Sequence, residues 1–398
     1  MKLLESIQQL ANDLVISPPE PERGNVTRVQ PPDLETAGKV VAYANENGLR
    51  LVTAGAGTKR HWLDAPGGEV IELDLRRCNR VLEYSPEDMT ITVEAGIPLA
   101  ELSRVLAERN QRLTLDPPHG ETATIGGVLA ANDSGPVRLA YGTARDIVIG
   151  MSFIEPDGGL TKSGGKVVKN VAGYDIHKLF IGSFGTLGPI ATVTFKLRPL
   201  PEARGLVVIA PRDAAHAEEI IAGLLSGPTR PTMIELLGAR MAEKLELGRR
   251  LTLIVGFEEN ADAVNWQCAT VQQTFGGTVL PADQGEQLYA SLREASDSAS
   301  ATSFKATMLS SHVADFVSRF DEQAIRLIAR AGNGIVYGVL EGALDERVWG
   351  AIREATEAGQ GALQVRGPLP AGVLRFSPPR EDAFLSDGIR AAFDPKGT

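Results

Sequence analysis

The run Gly55-Ala56-Gly57-Thr58-Lys59 narrows the folds open to this chain more than any other stretch. Two glycines one residue apart, after the apolar run Leu49 to Thr53, are how a dinucleotide-binding strand–turn–helix unit begins. That unit also needs a third glycine at the sixth position and a helix whose N-terminus meets the diphosphate. Here the sixth position is Arg60, and Pro66, Gly67 and Gly68 follow too soon for a dozen-residue helix. The Gly-x-Gly is therefore expected to be a loop, with free backbone N–H groups over residues 54–59 suited to a diphosphate.

Two more glycine clusters lie downstream, at 126–135 and 182–188, each read as adjoining a strand. Taken singly, each is satisfied by tight turn geometry. Together they suggest several backbone segments converging on one long ligand, because small residues allow close approach. The elements between them are read from periodicity and caps. Asp33 is an N-cap for a helix over Leu34 to Asn47, which stops at Gly48. Leu49–Thr53 is expected to be a short buried strand, and strands are expected at Val70–Leu73 and Met89–Ala95. Pro98 opens a helix to about Asn110, Asp116-Pro117-Pro118-His119-Gly120 is a rigid turn, and Pro156-Asp157-Gly158-Gly159 joins a hairpin. Ala191, Val193, Phe195 and Leu197 share one strand face. Five prolines within 15–32 predict an extended lead-in. After Arg198-Pro199-Leu200-Pro201 glycine thins out and strands alternate with helices, including Ala214–Leu225, Met233–Leu237, Leu251–Phe257 and Ala261–Phe275, with a last helix at Ala383–Phe393. This is the pattern of a second, α+β domain.

Composition removes several functions. A net charge of −10 without a long basic cluster argues against nucleic acid as a partner. No apolar run reaches the roughly 20 residues needed to span a bilayer, and Met1 to Leu14 lacks a signal-peptide pattern, so a cytoplasmic protein is expected, with any membrane contact peripheral and through partners. Two distant cysteines, Cys78 and Cys268, cannot ligate an iron–sulfur cluster alone. His61, His119, His177, His216 and His312 are scattered with no i, i+4 pair, so no metal site is expected.

The run Val52 to Lys59 resembles the pyrophosphate loop of FAD-linked oxidases with the PCMH-type (vanillyl-alcohol-oxidase-like) fold. Thr124-Ile125-Gly126-Gly127 with Asn132, Ser134 and Gly135, then Tyr141 to Asp146, is similar to that family's second flavin-contacting stretch, and Gly182 to Gly188 to its third. Within the family, Asp116 to His119 and Lys169 to Asp175 most resemble the FAD-binding subunit of glycolate oxidase. The resemblance implies an α+β chain: a lead-in over 1–25, a PCMH-type domain of two α/β subdomains over 26–200, a cap domain over 201–375, and a segment over 376–398 that returns to the FAD domain. The sequence stops before the Asn-Pro-Gly that usually follows Phe393 to Gly397 in the family.

By the same resemblance, non-covalent FAD is held by Ala54, Gly55, Ala56, Gly57, Thr58, Lys59, Pro118, Thr124, Gly126, Gly127, Asn132, Ser134, Gly135, Gly142, Arg145, Asp146, Gly188 and Ile190. Arg145 and Asp146 also fit a plain surface ion pair, and Lys166 and Lys169 a solvated strand edge. His119 is the catalytic candidate because its turn resembles a flavin-facing element; a turn-satisfied surface histidine is the plainer reading. The implied reaction oxidises glycolate or D-lactate to the 2-oxo acid, with a base taking the hydroxyl proton, a cation holding the carboxylate and electrons leaving to an iron–sulfur subunit. Catalytic relatives carry a histidine-rich cap, whereas this cap region has only His216 and His312, and Phe184 stands where many have glutamate. A non-catalytic flavin carrier docked on a catalytic flavoprotein subunit therefore stays open, as does an NADPH-dependent reductase of the same fold.

Overall fold

The computed structural model describes residues 2–17, 25–64, 67–165, 173–378, 381 and 383–397. Its first half holds two small sheets. Strands Val26–Gln30, Val70–Asp74 and Arg50–Ala54 are parallel neighbours, with Val15–Ser17 antiparallel at the other edge. The helix Leu34–Glu46 makes the crossover, capped by Asp33 accepting from the Thr36 N–H, and buries Ala37, Val40, Val41 and Ala44. A second, antiparallel sheet runs Val81–Ser85, Thr90–Glu94, Ile190–Lys196, Val148–Ile154, Leu160–Gly164. Alternate residues Ile91, Val93, Val193, Phe195, Met151 and Phe153 fill its core with Leu102, Leu106 and Leu129.

The second half is built on one eight-stranded antiparallel sheet, in the order Thr278–Val279, Ala203–Ile209, Thr252–Glu259, Met233–Leu237, Ile325–Arg330, Ile335–Leu340, Ser303–Thr307, Leu363–Arg366. Helices Ala214–Ser226, Ala261–Phe275, Val313–Phe320 and Glu346–Ala358 cover one face, over Ile234, Leu236, Phe304, Leu327 and Val365. The opposite face meets helices Ala239–Lys244 and Ala282–Glu294 and, from the first half, Val137. The terminal helix Ala383–Phe393 comes back to the first half, where Phe393 lies edge-on to Phe153 and Phe180 at ring-centroid separations of 5.9 and 5.4 Å.

Several expectations need correction. The strand at Arg50–Ala54 is not buried, because it forms a sheet edge and its residues stay partly exposed. The 126–135 cluster opens in a helix, Ile125–Ala131, since Thr124 caps it by accepting from the Gly127 N–H while Ile125, Val128 and Leu129 anchor one side in the core; the Gly126 N–H donates to the Ala95 carbonyl, at the end of strand Thr90–Glu94, at 2.7 Å. The helix after Pro98 ends at Ala107, three residues early, and the chain turns through Asn110 at φ 53°. A helix at Lys2–Gln8, unread in the sequence, seats Ile7 under the first sheet. The Lys166–Lys169 strand edge falls outside the described residues.

Candidate functional site

The three glycine clusters touch one another. A Cβ on Gly55 would sit 2.0 Å from Thr124 Oγ1, and one on Gly185 would sit 2.5 Å from Thr53 Oγ1, so both contacts require glycine. The Gly182 and Phe184 N–H groups donate to the carbonyls of Leu129 and Ala130 at 3.0 and 2.8 Å. Gly135 packs on Asp116, where a Cβ would meet the backbone oxygen at 1.9 Å. These glycines therefore hold the segments together as well as clearing space.

The first loop leaves donors unspent. None of the N–H groups of Gly55, Ala56, Gly57, Thr58 and Lys59 donates to another described residue, and the next turn begins with Arg60 N–H to the Gly57 carbonyl. Half-buried N–H groups without partners are costly unless something accepts from them. Asn132, left-handed at φ 46°, likewise buries an Oδ1 that has no partner among the described residues. A diphosphate-bearing cofactor fits both observations. Lys59 is drawn inward: its Nζ lies 2.7 Å from Asp133 Oδ2 and donates to the Pro118 carbonyl at 3.2 Å. Of the other residues read as flavin-holding, Gly188 and buried Ile190 lie where the third segment enters its strand. Gly142, at φ 78°, closes the short helix Arg138–Tyr141. Arg145 is exposed, and Asp146 gives its carboxylate to the Thr143 N–H and hydroxyl in a capping box, so the two do not form an ion pair.

His119 is not satisfied within its turn. With φ at 61°, it leans out to the second half, its Nε2 3.2 Å from Asp297 Oδ2. His61 Nε2 is 2.9 Å from Asp297 Oδ1, and the Trp62 indole N–H donates to the same oxygen at 3.0 Å. Burial alone would raise the Asp297 carboxyl, but hydrogen bonds from His119 and His61 and the charge of Arg366 hold it well below the usual carboxylate range. The Arg366 guanidinium stacks on the Trp62 ring at 3.4 Å, and the Gly367 N–H donates to the His61 carbonyl at 2.6 Å. Asp297 thus ties both histidines and the segment after the glycine loop to the second half.

Facing this joint is a feature the sequence reading missed. Five adjacent strands of the large sheet contribute polar side chains to a row on one face, among them Glu235, Arg330, Tyr337, Lys305 and Arg366. The register places Glu235 opposite Arg330 and Lys305 opposite Tyr337, with Arg366 one diagonal step from Lys305. Arg330 is 2% exposed and donates to the Tyr337 hydroxyl at 2.7 Å and to Ser134 Oγ at 3.2 Å, joining the row to the second glycine cluster. Arg366 is 1% exposed, its guanidinium makes no hydrogen bond among the described residues, and its Nε is buried without a partner there. Lys305 also lacks a hydrogen-bond partner among them. Burial pushes the Glu235 carboxyl up to about 8, so it is largely neutral at pH 7. Asp116 below accepts from the Tyr289 hydroxyl at 2.8 Å and the Val137 N–H at 3.1 Å. A buried row whose arginine lacks acceptors is built for an anion. The signal for it was present: Lys305 in Ser303–Thr307, Arg326 and Arg330 in Ile325–Arg330, and Arg366 in Leu363–Arg366 each follow an apolar residue in a short, largely apolar strand.

Elsewhere, His177 is buried against Ser163, while on the second half His216 is partly buried and His312 exposed. Among the described residues there is no group of three metal-ligating side chains, and no helix is long and apolar enough to cross a membrane.

Residues 27–164 match the family model described as an FAD binding domain. The chain is 29% identical over 209 residues to glycolate oxidase subunit GlcD of Bacillus subtilis, covering 52% of this chain and 44% of that protein. It is 37% identical over 155 residues to glycolate oxidase subunit GlcE of Escherichia coli, covering 38% and 43%. With the mitochondrial D-lactate dehydrogenase [cytochrome] of Arabidopsis thaliana it shares 34% over 229 residues, covering 56% and 40%. The matches thus span less than half the length of these curated relatives. A solved alkyldihydroxyacetonephosphate synthase shares the fold, with a TM-score of 0.67 at 19% identity over 93% of this chain and 76% of that one.

Proposed function

We propose that this chain, which belongs to the FAD-linked oxidase family through its FAD-binding domain, oxidises a small 2-hydroxy acid to the 2-oxo acid at the joint between its two halves. FAD is the cofactor. The loop N–H groups of Gly55 to Lys59 are the proposed diphosphate seat, with Thr124, Gly126, Gly127, Asn132, Ser134 and Gly135 lining the cofactor beside it. Bound flavin supplies a hydride acceptor; the protein supplies orientation and charge.

The observation that carries the reading is the cation row on the large sheet. Arg366, buried and with no side-chain hydrogen-bond partner among the described residues, holds the substrate carboxylate in a paired, desolvated contact, and Arg330 anchors the row to the flavin-side Ser134. Asp297 keeps the loop-borne His61, Trp62 and His119 against this row, so that cofactor and substrate are held in one frame. His119 is a positioning residue in this reading, because its Nε2 faces Asp297.

Glycolate is the proposed substrate, with D-lactate next, and the chain acts as one subunit of a glycolate-oxidase-type complex. The subunit names of two relatives support this. An iron–sulfur partner is proposed as electron acceptor, since a cluster held by four thiolates needs more than Cys78 and Cys268, which are buried in different halves. Anaerobic titration of the FAD-loaded chain with glycolate is expected to bleach its flavin absorbance stoichiometrically. Unchanged absorbance with glycolate and D-lactate alike would overturn the catalytic assignment and leave a flavin carrier.

A further inference from the structure

The row that faces the glycine clusters contains three cations, and two of them can never be neutral. Arg330 and Arg366 keep their charge at any physiological pH, whereas a lysine loses its proton readily when buried beside other cations. Lys305 has that setting. It is partly buried between Tyr337 on one neighbouring strand and the Arg366 strand on the other, and its ammonium makes no hydrogen bond among the described residues. The groups that act on its ammonium are Arg366 and Arg330 on its own sheet and Asp133 and Arg138 from the first half. Asp133, itself paired with Lys59 at 2.7 Å, opposes the guanidinium charges, acting on Lys305 less than Arg366 does but more than Arg138 or Arg330.

Resting on the hydroxy-acid reading above, we propose that Lys305 is the base that accepts the substrate's hydroxyl proton, while Arg366 holds the carboxylate. This assigns the acceptor that the cap's missing histidines leave open. In the step, the O–H bond breaks and its proton goes to the Lys305 amine. The α-carbon C–H bond breaks with its electron pair going to oxidised flavin as hydride, and the C–O bond becomes the carbonyl. The ammonium then returns its proton to solvent after the 2-oxo acid departs. Burial, with the charge of Arg366 next, brings the Lys305 ammonium down to about 7, so the free amine is abundant at neutral pH. A general base works best when its own pKa lies near the working pH.

Two measurements on the full FAD-loaded chain test this. With lysine carbon-labelled at Cε, the one resonance absent from Lys305→Arg is expected to titrate with a midpoint near 7. A midpoint above about 9, as for a solvated lysine, would overturn the proposal. In anaerobic stopped flow with glycolate, Lys305→Arg keeps the positive charge and is expected to slow flavin reduction by about 10²–10⁴-fold, with the rise in rate between pH 6 and 8 lost. A variant as fast as the parent, with the same pH profile, would also overturn it. The two readings fail separately: if glycolate never reduces the parent's flavin, the hydroxy-acid assignment falls, whatever the titration of Lys305 shows.

Discussion

The two halves meet at one joint but bring different parts of the polypeptide to it. The first half offers backbone: N–H groups over 55–59 that donate to no described residue, positioned by glycines that pack where no side chain fits. The second half offers side chains drawn from five neighbouring strands of one sheet. A diphosphate has many equivalent oxygens and is well served by a ring of main-chain donors. A small carboxylate needs a few fixed charges whose rotamers are locked by packing. The difference shows that the two sites should fail in different ways, the first through shape and the second through charge.

The largest effect is expected at the tie between them. Asp297→Ala leaves His61, Trp62 and His119 without their shared acceptor, and breaking such a buried set costs about 3–5 kcal/mol; denaturant unfolding reads it. Because the Asp297 pKa is depressed on folding, its contribution is present above the ordinary carboxylate pKa near 4 and lost as pH falls below it. Asp297→Asn should therefore flatten the acid limb of the stability profile. If the tie couples the halves, these variants also release FAD more easily.

Next comes shape in the first half. Gly55→Ala drives a methyl into Thr124, at a cost of about 1–3 kcal/mol, and is expected to weaken FAD binding in fluorescence titration. Combining it with Thr124→Gly removes the clash, so the double variant should regain part of the lost affinity. If it does not, Gly55 is needed for close approach of the cofactor and not for packing.

A buried proton sets a smaller test in the second half. Glu235 has a folded pKa raised to about 8, so the stability linked to keeping it protonated is whole below pH 4.5 and lost as pH rises through 8. Glu235→Gln removes that slope and is expected to be more stable than the parent at pH 8 by on the order of 2 kcal/mol. The control is an exposed pair: Lys39→Ala breaks the Glu35–Lys39 contact at 2.9 Å and should change stability by no more than about 0.5 kcal/mol.

The first half was the more legible in sequence, and the reason is physical. Glycine spacing, the Asp33 cap and the alternation of Val193 and Phe195 are local signals, and each describes the element it lies in. The Gly-x-Gly could be read as a loop from Arg60 and Pro66 alone. The helix at Ile125–Ala131 was missed because glycine has poor helix propensity, and the Thr124 cap with its buried anchors overrode it. The cation row was missed for a different reason. Glu235, Lys305, Arg330 and Arg366 are up to 131 positions apart, and only the strand order makes them neighbours. Asp297 meets His61 across 236 positions, a contact with no local signal.

The claim that one site spans both halves is tested most directly by oxalate, a carboxylate that has no α C–H to lose. Added to the FAD-loaded chain, it is expected to perturb the flavin absorbance spectrum in a saturable way. Arg366→Met should keep FAD and its unperturbed spectrum while weakening that response by at least about 10-fold, the loss of one charge-assisted contact worth about 1.5–3 kcal/mol. An oxalate response of equal affinity in the Arg366→Met variant would contradict the account.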